Sequence, residues 1–129
     1  MSQENVETVQ RVNEAFAARD LKALVALHHP DVEIVVLRSA VQGPYRGHDG
    51  LRRMATEAFD IADLQLDIEE VRDCGGDRVL IFGHQHGVVS GIPFDRVLAE
   101  LVEVDAGKVR RAHAFQTVDE ALEAAGLSE

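Results

Sequence analysis

Two periods divide the chain: before about residue 60 apolar side chains recur every three or four positions, and after it every second position. Between Ser2 and Arg19, Val6, Val9, Val12, Phe16 and Ala17 share one helical face, while Glu4, Glu7, Gln10, Arg11 and Glu14 take the other. A second helix is expected from Asp20, whose carboxylate suits an N-cap; it carries Leu21, Leu24, Val25 and Leu27, and Pro30 ends it. His28 and His29 then sit at its C-terminus, where the helix dipole favours imidazolium. Val32 to Leu37 is a β-branched run and predicts a strand. After the loop Gly43-Pro44-Tyr45-Arg46-Gly47, Asp49 is expected to cap a third helix, with Leu51, Met54, Ala55, Ala58 and Phe59 inward.

Four strands follow in this reading: Leu64 to Arg72, Arg78 to Val89, Phe94 to Val104 and Val109 to Phe115. The segments between them contain Gly75-Gly76, Gly91 and Gly107, and a tight reversal needs such glycines. They form an antiparallel meander. Thr117-Val118-Asp119-Glu120 is a capping box that opens a last short helix, stopped by Gly126. A flat sheet cannot cover three amphipathic helices, so the sheet must curl around them and leave a cavity open at one end. The expected fold class is α+β, a cone-shaped curved antiparallel sheet wrapped around three helices, in a single domain over residues 1–129.

Composition narrows the partners. The chain has 23 acidic residues against 13 Lys plus Arg, a net charge of −10, which repels nucleic acid over most of the surface. No apolar run approaches the ~20 residues that span a bilayer. The N-terminus is polar and acidic, without the apolar stretch of a secretion signal, and Cys74 is the sole cysteine. These features point to the cytoplasm, with no membrane partner. Cys74 has no cationic neighbour to activate it as a nucleophile.

The order of elements, with Ala18-Arg19-Asp20-Leu21-Lys22-Ala23-Leu24, His29-Pro30-Asp31-Val32, Gly43-Pro44-Tyr45-Arg46-Gly47, Asp105-Ala106-Gly107-Lys108-Val109 and Glu120 to Leu127, resembles the nuclear transport factor 2-like superfamily. The likeness is to its SnoaL-like and ketosteroid-isomerase-like branch and covers nearly the whole chain. It implies a cone-shaped barrel with a pocket inside, and a homodimer through the outer face of the sheet. It does not imply one activity, because this superfamily holds isomerases, cyclases, hydrolases and proteins that only bind. The general-base aspartate of ketosteroid isomerases falls on Val36, their first-helix tyrosine on Val12, and their late-strand aspartate on Ala99. All three positions are apolar here, which argues against that particular mechanism.

The strongest local signal is Gly83-His84-Gln85-His86-Gly87. Residues two apart on a strand share a face, and the resemblance puts Phe82, His84 and His86 on the pocket side. Imidazoles in an apolar cavity stay neutral at pH 7 and can exchange protons, so His84 and His86 are the candidate catalytic pair. The expected ligand-binding residues are Val12, Phe16, Val36, Arg38, Met54, Phe82, Ala99, Leu101, Ala114 and Gln116. On this parity Arg96, Glu100, Arg111 and His113 face outward, where they could pair across the dimer. His113 then lies too far from His84 and His86 to complete a metal site, and no metal or cofactor is expected. The ligand is a small hydrophobic molecule, either held or transformed.

Overall fold

A computed structural model describes residues 2–37 and 42–127. Helix α1 spans Ser2–Ala17 and α2 spans Leu21–Ala26, followed by strand β1, His28–Val35. A two-residue strand β2, Tyr45–Arg46, leads into α3, Gly47–Phe59. The meander comprises β3 (Ala62–Asp73), β4 (Arg78–Val89), β5 (Ile92–Asp105) and β6 (Lys108–Phe115), and α4 (Val118–Ala124) ends the described chain. One six-stranded sheet runs in the order β2-β1-β6-β5-β4-β3. Every pairing is antiparallel except β1 with β6, which is parallel and departs from the all-antiparallel expectation.

Local signals explain most boundaries. The Asp20 carboxylate accepts from the amide of Ala23 at 3.1 Å, and the Thr117 hydroxyl accepts from Glu120 while Glu120 reaches back to the Thr117 amide. Ser90-Gly91 and Ala106-Gly107 each have two successive positive φ values, the mirror-image turn that matches the twist of a hairpin. Two expectations change. Helix α2 stops at Ala26, before Pro30, because His28 already pairs with Val109 of β6 and Pro30 lies inside β1. Tyr45-Arg46 is a short strand against Glu33 and Ile34, and Asp49 sits within the first turn of α3, paired with Arg52 at 2.9 Å rather than capping it.

Helices α1 and α3 pack on the concave face. Val9 and Leu51 meet Val32, Ile34, Val79, Ile81 and Val102 there in the main core. Helix α2 joins through Leu24, beside Ala15 and Ala55. Helix α4 lies on the opposite, convex face, where Ala121 and Ala125 cover Leu80, Phe82, Ala99 and Leu101. Of the described helices, α1, α2 and α3 are therefore inside the curl and α4 is outside. The curl itself needs Gly83 and Gly87 on the concave side of β4. A Cβ at Gly83 would stand 2.0 Å from the Asp67 carbonyl oxygen, and one at Gly87 3.0 Å from Ile61. Strand β3 folds over these glycines and carries two register irregularities, one of them between Ile68 and Glu70.

Candidate functional site

The concave face and its helices enclose a cavity of about 550 Å³. Its wall is largely apolar: Val12 and Phe16 from α1, Met54 from α3, Val36 after β1, Ile81 from β4, Leu98 from β5 and Ala114 from β6. Cross-strand partners share a face, so the register settles which residues look inward. Ala114 pairs with Glu100, and Gln85 pairs with Arg96. All four border the cavity.

Glu100 is its most unusual member. Among the described residues nothing forms a hydrogen bond or ion pair with its carboxylate, and no buried polar side-chain atom lacks a partner. The carboxyl oxygens must therefore meet open space, and the cavity supplies it. Glu100 is only partly accessible and lines the cavity, where the surrounding protein strips much of the water from its carboxyl. Desolvation disfavours the charged form and pushes its pKa from 4.5 to about 7. Near neutral pH both forms coexist. The neutral acid can donate to a carbonyl or enolate oxygen, and the carboxylate can take a proton from carbon or oxygen.

Other polar groups border the space, among them Arg96, Glu57 and His28. The Arg96 guanidinium donates from Nε to Gln85 Oε1 at 2.8 Å and lies 5.6 Å over the Phe94 ring. Glu57 accepts the Tyr45 hydroxyl at 2.5 Å, so that phenol is committed to a partner on α3. His28, 4% exposed, reaches the cavity from the start of β1, and its Nδ1 lies 2.6 Å from the Leu24 carbonyl oxygen.

The two expected catalytic histidines lie elsewhere. His84 and His86 project from the convex face, opposite Gln85, and neither borders the cavity. His84 Nδ1 is 3.1 Å from Asp95 and Nε2 is 3.7 Å from Glu69, while His86 Nε2 is 2.8 Å from Asp67. The cause is a parity inversion along β4 and β5. Leu80, Phe82 and Leu101 are apolar because α4 covers them, so apolar character alone does not distinguish the faces of these strands. The same inversion takes Phe82 and Leu101 out of the site and brings in Arg96 and Glu100, which had been expected outside. Ala99 borders the cavity, although its side chain packs with Leu80 and Phe82 under α4. Gln116 is exposed, and its backbone N–H donates to the Glu120 carboxylate in the turn before α4. Val12, Phe16, Val36, Met54 and Ala114 border the cavity, whereas Arg38 lies outside the described residues.

One signal for Glu100 was present in the sequence: a lone acid inside Val97-Leu98-Ala99-Glu100-Leu101-Val102. Gly83 and Gly87 were another, since glycines gather on the strand face that another backbone approaches. Among the described residues no three His, Cys, Asp or Glu side chains are grouped to hold a metal ion, and no helix is long and apolar enough to cross a membrane.

The comparisons agree with this architecture. An NTF2-like protein from Burkholderia xenovorans is 26% identical, with a TM-score of 0.77 and 97% of each chain covered. An NTF2-like protein of unknown function from Burkholderia pseudomallei is 23% identical over 95% of this chain and 97% of its own, with a TM-score of 0.78. TerC, whose crystals contain polyporic acid, is 22% identical over 95% of this chain and 98% of its own, with a TM-score of 0.76. No curated protein matches the chain in sequence. The SnoaL-like domain matches residues 9–112, more than three-quarters of the length, and with the curled sheet around its cavity this establishes that the chain belongs to the SnoaL-like domain family.

Proposed function

We propose that this domain takes up a small hydrophobic molecule and moves a proton on it at Glu100, as an isomerase or cyclase does, without a cofactor. The observation that carries the reading is a carboxyl with no partner among the described residues, opening on an apolar cavity and titrating near neutrality. Burial holds the group ready to act as acid or base at the pH of the cell. In this reading Arg96, which donates to Gln85 at the cavity wall, orients a substrate oxygen. TerC, crystallised with polyporic acid, is a precedent for small-molecule occupancy of this fold.

A non-catalytic carrier is the second reading. It is favoured by the absence, among the described residues, of any hydrogen bond that would orient Glu100. A small-molecule screen followed by turnover assays separates the two. Glu100→Gln should lower the rate on a consumed hit by about a hundredfold or more, the usual weight of a general acid or base. Unchanged turnover in that variant removes Glu100 from the chemistry, and hits that bind without being consumed favour the carrier.

The proposal includes a homodimer through the convex face, in a reducing, cytoplasmic setting that leaves the lone Cys74 a thiol. Support for the dimer comes from the His113 ring stacked on Phe115 at 4.3 Å and from Val97, which is 39% exposed, pairs with His84 and also borders the cavity. Light scattering at micromolar concentration should give twice the chain mass, and a monomer there removes the dimer.

A further inference from the structure

We propose that the deep end of this cavity recognises a hydrogen-bond donor, a hydroxyl or N–H at the far end of an elongated apolar ligand, through Nε2 of His28. The proposal rests on the reading above, because it takes a small molecule to occupy the cavity.

The tautomer of His28 follows from its neighbour. Nδ1 lies 2.6 Å from the Leu24 carbonyl oxygen, and a carbonyl only accepts, so Nδ1 carries the proton. Burial outweighs the opposing hydrogen bond to Leu24 and, with the nearby His48 as a smaller contribution, lowers the pKa of the ring from 6.5, so the neutral form prevails at pH 7. Nε2 is then a lone pair. His48 does not occupy it, since its own Nε2 donates to the His28 backbone carbonyl at 2.9 Å. No described residue donates to His28 Nε2, and no buried polar side-chain atom among those residues lacks a partner. Nε2 therefore meets open space, and the cavity that His28 borders provides it.

The register sets the distance to Glu100. His28 pairs with Val109, and Glu100 with Ala114, five positions further along β6. At ~3.3 Å per residue the two levels lie roughly 16 Å apart, less what the side chains reach toward each other. Between these levels lie Val102 and Ala112, and Val9, Leu51 and Ile81 add to an apolar wall. A ligand that satisfies both ends is a rod with an apolar middle, a donor group at the His28 end and an oxygen function near Glu100.

Titration calorimetry with para-phenylphenol, biphenyl and para-methoxybiphenyl tests this, because only the first can donate. The wild-type protein should prefer the phenol by about fivefold, the weight of one neutral hydrogen bond. His28→Asn places an amide N–H where Nδ1 was but cannot reach the position of Nε2, so the preference should vanish. His28→Gln, whose amide oxygen reaches that position, should restore it, and Glu100→Gln should leave it in place. Equal affinity of the wild-type protein for all three probes overturns the proposal. So does a preference that survives in His28→Asn or is lost only in Glu100→Gln. Failure of all three probes to bind counts against the small-molecule reading itself and removes the proposal with it.

Discussion

Gly83 and Asp67 touch through their backbones: a Cβ on Gly83 would stand 2.0 Å from the Asp67 carbonyl oxygen, inside any permitted contact. This is where β3 crosses the concave side of β4 and closes one wall of the cavity. Gly83→Ala should therefore cost about 3 kcal/mol, because the obstacle is a paired strand and not a flexible side chain. Urea denaturation reads the loss directly. A midpoint equal to that of the wild type would show that β3 can move aside, and the curl would then have another cause.

Glu100 should make stability fall as pH rises. Its pKa is about 7 in the folded protein and 4.5 without burial, so between these values the folded state binds more protons than the unfolded state. The contribution is whole below pH 4.5, declines across the interval and is gone above about pH 7. Its size is roughly 3.5 kcal/mol at most, at ~1.4 kcal/mol per pKa unit. Denaturation curves of wild type and Glu100→Gln, subtracted at each pH, isolate this group from His28, which cancels. A flat difference from pH 4.5 to pH 7 would place the carboxyl in water.

Replacing both His84 and His86 with alanine should leave the cavity unaltered. Their partners Asp95, Glu69 and Asp67 are exposed, and exposed ion pairs contribute ~1 kcal/mol or less. Affinity for para-phenylphenol should stay within about twofold, a change of under half a kcal/mol. A tenfold loss in calorimetry would return these histidines to the site.

Thr117→Ala should cost about 1 kcal/mol by breaking the capping box of α4. The damage should be local to the convex face, at Leu80, Phe82 and Leu101 beneath Ala121 and Ala125. Hydrogen exchange should speed in α4 before it does in β1. Uniform acceleration would mean that α4 is part of the cooperative core.

Helix periodicity marked the apolar faces of α1 and α3 because each buries one side, so Val9, Leu51 and Met54 were legible from spacing. Turn chemistry located the hairpins, because only particular residues tolerate successive positive φ values, as at Ser90-Gly91 and Ala106-Gly107. On β6 the contrast of Arg111 and His113 with Ala112 and Ala114 gave the right parity. On β4 no such contrast exists: Val79, Leu80, Ile81 and Phe82 are all buried, alternately by the main core and by α4.

The sequence by itself determined the kinds of element, their order and the need for a curled sheet, since these depend on neighbours within a few residues. Which side of β4 and β5 faces the cavity was decided only by tertiary structure, through the seat of α4 on the convex face and the pairing of Glu100 with Ala114. A strand covered on both faces carries no periodic record of which cover is the wall of a cavity. The environment that lifts the pKa of Glu100 is likewise assembled from strands and helices far apart in the chain.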